Sequence, residues 1–180
     1  CEWIASIHPL ARDALDRLDE AVARGARAVK WLPQVHRIDP ASPRCDAFYR
    51  KLAALRIPLL THAGAEQAVR SAAEHLGNPL RLRRPLEQGV RVIVAHCASL
   101  GDGRDLDRGD AGPVVANFDL FARLMDTPSY RMLLLADISA LTQINRMDSL
   151  SRVLERQDWH PRLLDGTDYP LPGIPPLISL

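Results

Sequence analysis

The sequence has almost no net charge, no long apolar run and no paired cysteines, and each lack excludes a class of protein. Lys plus Arg number 23 and Asp plus Glu 22, a formal balance of +1. No global field exists to hold nucleic acid or an anionic membrane. The longest apolar runs, such as Val92 to Ala95 and Met132 to Ala136, fall far below the ~20 residues of a membrane span. Cys1, Cys45 and Cys97 are odd in number and widely spaced. Without a Cys-x-x-Cys pair they suggest neither a disulfide framework nor a structural zinc site, and they fit a reducing, cytoplasmic compartment. Cys97 follows an apolar run and reads as a small buried residue. The chain opens Cys-Glu-Trp, with no basic start leading into an apolar stretch, so no signal peptide is visible. Either a leader has been removed or this is an internal piece of a longer protein. What is there is ordinary and globular: 180 residues, 47% apolar and 25% charged, which predicts one domain spanning 1–180.

A repeated unit runs along the chain: a short apolar run, a polar residue, a turn, then an amphipathic stretch. Strands are expected at Trp3 to Ile7, Ala26 to Leu32, Ile57 to Thr61, Val90 to Ala95, Met132 to Ile138 and Arg162 to Leu164. Leu15, Leu18 and Val22 share one helix face, with Gly25 as a stop signal. Phe48, Leu52 and Leu55 mark a second helix, Glu66 to His75 a third, and Phe118, Phe121 and Met125 a fourth. Leu141, Ile144, Met147, Leu150 and Leu154 form the best helical pattern in the chain. Gly101 to Gly112 reads as a loop rich in Gly and Asp. Strands separated by helices imply parallel pairing, because a parallel connection needs a crossover. An open doubly wound sheet or part of a (β/α) barrel fits. The open sheet usually carries a Gly-rich phosphate loop, and neither Gly-x-Gly-x-x-Gly nor a Walker-type loop occurs.

The expected strand ends carry His8, Lys30, His62, His96, Asp137 and either Asp165 or Asp168. In a barrel, catalytic groups project from such carboxyl ends. Imidazoles and carboxylates together are ligands of a catalytic zinc-type ion, which acidifies its water towards a pKa of ~7. A nearby His can take the proton. His62 and His96, in Leu-Leu-Thr-His-Ala-Gly and Ile-Val-Ala-His-Cys-Ala, stand at the same point of the repeat and read as functional. His8 reads first as a structural residue, His36 and His160 as solvated loop residues, and His75 as a cation late in a helix. Lys30 and Asp137 are open between site residue and buried structural partner. Asp165 and Asp168 compete for one role, because three apart in a continuous strand they point to opposite faces. Asp105, Asp107 and Asp110 resemble a calcium loop, but the Gly is misplaced and the closing Glu absent. Arg81, Arg83 and Arg84 are either a solvated helix start or a clamp for a substrate carboxylate.

Five stretches in order resemble the amidohydrolase superfamily, specifically its amidohydrolase-related, metal-dependent TIM-barrel hydrolases. They are Ala5-Ser6-Ile7-His8-Pro9, Ala28-Val29-Lys30-Trp31-Leu32-Pro33, Leu60-Thr61-His62-Ala63-Gly64, Val94-Ala95-His96-Cys97 and Gly166-Thr167-Asp168-Tyr169-Pro170. The resemblance implies an α/β partial (β/α)8 TIM barrel comprising strands three to eight. It implies that His62 and Asp168 bind a divalent metal, most simply one zinc ion. It implies that His96 is a second ligand or the general base, and that Asp168 also handles the proton of the attacking water. Lys30 matches a fourth-strand position where some two-metal members carry a bridging, carbamylated Lys. The family's first-strand His-x-His pair is absent from this sequence, and a barrel of this class takes ~250 residues. A fragment of a longer gene product is therefore expected. Its cut sheet edges would favour self-association into a homo-oligomer, and it would bind metal weakly on its own.

The function implied is metal-dependent hydrolysis of a C–N or C–O bond in a small molecule, with no nucleic-acid or membrane partner. The rivals are non-oxidative decarboxylation of a small unsaturated acid on the same metal, and a catalytically incomplete barrel that serves as a binding domain. Fold does not choose among them.

Overall fold

A computed structural model describes residues 2–65, 73–109, 111–166 and 168. The strands are β1 (Trp3–Ala5), β2 (Ala26–Trp31), β3 (Leu59–His62), β4 (Val92–Ala95), β5 (Asp102–Arg104), β6 (Val114–Ala116), β7 (Leu134–Asp137) and β8 (Leu163–Leu164). The helices are α1 (Ala14–Ala23), α2 (Pro33–His36), α3 (Asp46–Leu55), α4 (Arg83–Glu87), α5 (Asn117–Asp126) and α6 (Met147–Glu155). Six strands form one sheet in the order β1-β2-β3-β4-β7-β8, and every pairing in it is parallel. All six expected strands are present, five of them shorter than expected, while β3 starts two residues later and runs one residue farther, to His62.

The two faces of the sheet differ in cover. On one face Val29, Trp31, Leu59, Thr61, Val92, Val94, Leu134 and Ala136 are wholly buried. Trp31 stacks on Phe48 of α3 at 5.7 Å and its indole N–H donates to the Ile7 carbonyl at 2.8 Å. Farther along, Trp159 packs edge-on against Phe121 at 5.7 Å. On the other face, register aligns Lys30, Leu60, Ile93 and Leu135 in one row across four strands. All four are only half-buried. Helices thus cover one side, and the polar strand-end groups stand on the other.

Several expectations need correction. The Gly-Asp loop contains β5, which pairs antiparallel with β6 as a small hairpin. The pattern from Leu141 to Leu154 is not one helix: a 3-10 turn at Ile144–Arg146 precedes α6. Ile144 and Leu154 are 61% and 62% exposed, so two of the five apolar positions face away from the core. Most of the helix expected at Glu66 to His75 lies outside the described residues, and His75 sits in a 3-10 turn, Glu74–Gly77. Neither reading of the arginine cluster holds. Arg81 pairs with Asp39 at 2.8 Å, Arg84 with Asp46 at 2.7 Å, and Arg83 with Asp107. The calcium-like loop spends its charge in the same way, with Asp105 on Arg123 at 2.7 Å; Asp110 lies outside the described residues. Among the described residues no helix is long and apolar enough to cross a membrane.

Candidate active site

Parallel strands put like ends on one side, and the polar residues follow. His62 closes β3, His96 follows β4, Asp137 closes β7, and Asp168 lies just past β8. The His62 and His96 rings meet edge to face with centroids 5.6 Å apart. Asp168 Oδ2 lies 3.7 Å from His96 Nε2. Residues 62, 96 and 168, distant in sequence, therefore share one locus. Asp165 is exposed, and of the two carboxylates it is Asp168 that lies beside His96. His8 stays outside, exposed, with its Nδ1 accepting from Leu10 N. His36 is not the solvated residue expected: it is half-buried and its Nδ1 accepts from Leu32 N. Burial, then the charge of His8, lowers its pKa.

The hydrogen bonds assign the ring protons. His96 Nδ1 lies 3.1 Å from the Ser139 carbonyl and 2.8 Å from its hydroxyl. A carbonyl only accepts, so Nδ1 carries a proton, and Nε2 is the ring nitrogen that faces Asp168. Ser139 Oγ in turn donates to Asp137 Oδ1, so Asp137 orients His96 through Ser139. At His62 the polarity is reversed. Gln34 donates from one amide nitrogen to Gly64 O at 3.0 Å and to His62 Nδ1 at 3.1 Å. An amide nitrogen only donates, so His62 Nδ1 accepts and its proton sits on Nε2. Burial, then the charges of His96, Lys30 and Arg146, push the His62 pKa down to about 3. His62 is therefore a neutral ring at physiological pH.

The backbone beneath these rings is strained. His96, Cys97 and Ala98 take left-handed φ values of 53, 52 and 50° in succession, and Asp168 takes 49°. Each costs an L-residue roughly 1–2 kcal/mol. Such strain persists where surrounding contacts over-determine it, and it clusters at functional sites. Cys97 Sγ donates to Asp137 O at 3.4 Å, tying this turn to β7. The thiol is wholly buried and its pKa is pushed up to about 12, so the small-buried-residue reading holds. Gly64 is required where the next loop packs: φ is +83°, and a Cβ would stand 2.7 Å from Leu100 O.

Two imidazoles and a carboxylate are the right donors for a divalent ion. Yet among the described residues no group of three or more His, Cys, Asp or Glu side chains is arranged to hold one. To ligate through Nε2, His62 would have to move its proton to Nδ1 and find an acceptor there, as metal-bound histidines do. Gln34 now presents a donor. The described residues fit part of a metal shell and not a whole one. Sequence reasoning missed Gln34, Ser139 and Arg146. Gln34 and Ser139 each lie just past a strand end that was singled out for its ionisable residue, which was the available signal. Arg146 had none.

No family model matches the chain, and no curated protein matches it. Solved structures do. A candidate 2-pyrone-4,6-dicarboxylic acid hydrolase from Pseudomonas putida matches over 94% of this chain and 57% of its own, with 14% identity and a TM-score of 0.62. An uncharacterised TIM-barrel protein from Bordetella bronchiseptica matches over 93% and 53%, at 18% identity and a TM-score of 0.65. A 2,6-dihydroxybenzoate decarboxylase from Rhizobium matches over 93% and 59%, at 15% identity and a TM-score of 0.53. The chain thus spans little more than half the length of the proteins it matches. Its six parallel strands are a partial barrel, with the fold of amidohydrolase-like TIM-barrel proteins.

Proposed function

We propose that the chain carries the acid–base half of a metal-dependent hydrolase site that cleaves a C–O or C–N bond in a small molecule. The observation that carries this reading is the meeting of His62, His96 and Asp168 at the carboxyl ends of parallel strands, where barrel enzymes do their chemistry. His62 and Asp168 would hold the divalent ion, zinc first, with Lys30 beside them; the remaining ligands come from residues other than those described. When bound, the ion supplies Lewis acidity and an acidified water. His96 Nε2 takes the proton of the attacking water. Ser139 and Asp137 keep the opposite nitrogen protonated, so the ring presents its lone pair. Asp168 Oδ2 stabilises the imidazolium that forms and relays its proton to the leaving group. Lys30 and Arg146, whose charges reach His62, favour an anionic substrate. That same observation supports the second reading, non-oxidative decarboxylation of an unsaturated acid. The proposal includes a single domain, a cytoplasmic setting, and self-association through the exposed β1 and β8 edges.

The test supplies the chain with millimolar zinc or manganese and offers a carboxylated lactone and a hydroxybenzoate in parallel. Lactone opening that is lost in H96N and D168N is expected. Carbon dioxide release instead selects the second reading, and no turnover of either sinks both. Zinc titration should show weak binding; a tight one-to-one endpoint contradicts the partial shell.

A further inference from the structure

The amino ends of the same strands carry a second cluster of charge. Arg91 immediately precedes β4, Arg131 precedes β7 by three residues, and Arg162 immediately precedes β8. Those strands are neighbours, so the three guanidiniums gather around a cavity of about 300 Å³. This is the lower edge of the usual size for a ligand pocket. At ~3.3 Å per residue, the run from Arg91 to His96 spans about 16 Å, so the two sites are separate.

The cavity is short of negative charge. Arg91 and Arg131 are exposed and form no ion pair or side-chain hydrogen bond among the described residues. Arg162 donates from Nη2 to Met125 O at 2.9 Å. Its Nε and Nη1 are buried without a partner among the described residues. Burial and then the charge of Arg131 lower its pKa, and the opposing charges of Asp158 and Asp126 do not offset them. Asp158, the carboxylate on the cavity wall, already binds Arg156 through both oxygens, at 2.9 and 2.7 Å. Like charges lining one cavity repel one another, and an anion between them relieves that repulsion. The rest of the lining is apolar: Met132, Leu135 and Pro161.

We propose that this cavity binds a small organic carboxylate with a flat apolar body. The exposed Arg91 and Arg131 guanidiniums take the carboxylate, and the apolar wall takes the body. An inorganic anion would leave that wall in water, and a neutral ring would leave the arginines unpaired. Because β4, β7 and β8 also lead to His96, Asp137 and Asp168, an occupant would tie together the strands that carry the candidate active site.

The probe is benzoate, with benzyl alcohol and inorganic phosphate as the two controls. Carbon-13 labelling of the methionine methyls makes Met132, which is 82% exposed, a local reporter, assigned with M132L. Saturable movement of the Met132 signal by benzoate is expected, with both controls weaker by about tenfold or more, the value of one charge-assisted contact. R91M/R131M removes two exposed, unpartnered side chains, so the fold should persist, as a thermal melt will verify. It should weaken benzoate by about tenfold or more, whereas H96N should leave it unchanged. The inference is overturned by a Met132 signal that benzoate does not move, by unchanged affinity in R91M/R131M, or by phosphate binding as well as benzoate.

Discussion

Replacing Gln34 with Leu tests the polarity of the site. Gln34 is 1% exposed, and its amide nitrogen donates to Gly64 O and His62 Nδ1 at 3.0 and 3.1 Å. Leu keeps most of the volume and removes both donations, leaving two buried acceptors without them. An unsatisfied buried acceptor costs roughly 1–3 kcal/mol, so the loss should be about 4 kcal/mol. That is a large share of the ~5–15 kcal/mol by which domains are stable. In a chain of this size ~1 kcal/mol moves the melting midpoint by about 2–4 °C, so Q34L should melt about 8–16 °C lower by circular dichroism. Nitrogen-15 spectra should show His62 Nδ1 unprotonated in the parent. Q34E, which offers an acceptor instead, should move the proton to Nδ1 and strengthen zinc binding. A Q34L midpoint within about 1 °C of the parent, or a parent His62 protonated on Nδ1, would refute the assignment.

Arg56 ends α3 at a φ of 55° on the surface; R56G should raise stability by about 0.5–1 kcal/mol, since relief of the left-handed conformation exceeds the entropy cost of Gly, and an unchanged denaturant midpoint counts against this. Arginine partners hold Asp46, Asp105, Asp107, Asp126 and Asp158 below the usual carboxylate range. Folded values below unfolded ones mean that the stabilisation is complete above about pH 4 and is lost as pH falls through the lowered values. Melts from neutral pH downwards should show this loss, and D105N should shrink it. Burial pushes the Cys45 and Cys97 thiols up to about 11 and about 12, so mass-mapped alkylation near pH 8 should label both only after unfolding.

Much of the fold could be read from residue order, because the signals are local. Apolar runs at Ala26, Leu59, Val92 and Leu134 are short, unalternating and bounded by turn residues, as strands buried by crossover helices must be. The polar residue closing each run marked the carboxyl edge, and His62, His96 and Asp168 were found there. The helix drawn through Ile144 and Leu154 failed because periodicity records spacing and not which neighbour is available to bury a side chain. The arginine and aspartate clusters failed for a related reason: each looked solvated or ligand-ready beside its own neighbours, while its closest partners lay 18 to 42 residues away.

Residue order alone thus settled the alternation of strands and helices, the lack of a phosphate loop, and the chemical kinds gathered at the strand ends. Packing decided the rest. Gln34 faces His62, and Ser139 turns His96, through contacts that close only when β2 meets β3 and β4 meets β7. Ring protons are placed by whichever donor or acceptor stands opposite, and that choice is made across the sheet, between residues that no local pattern links.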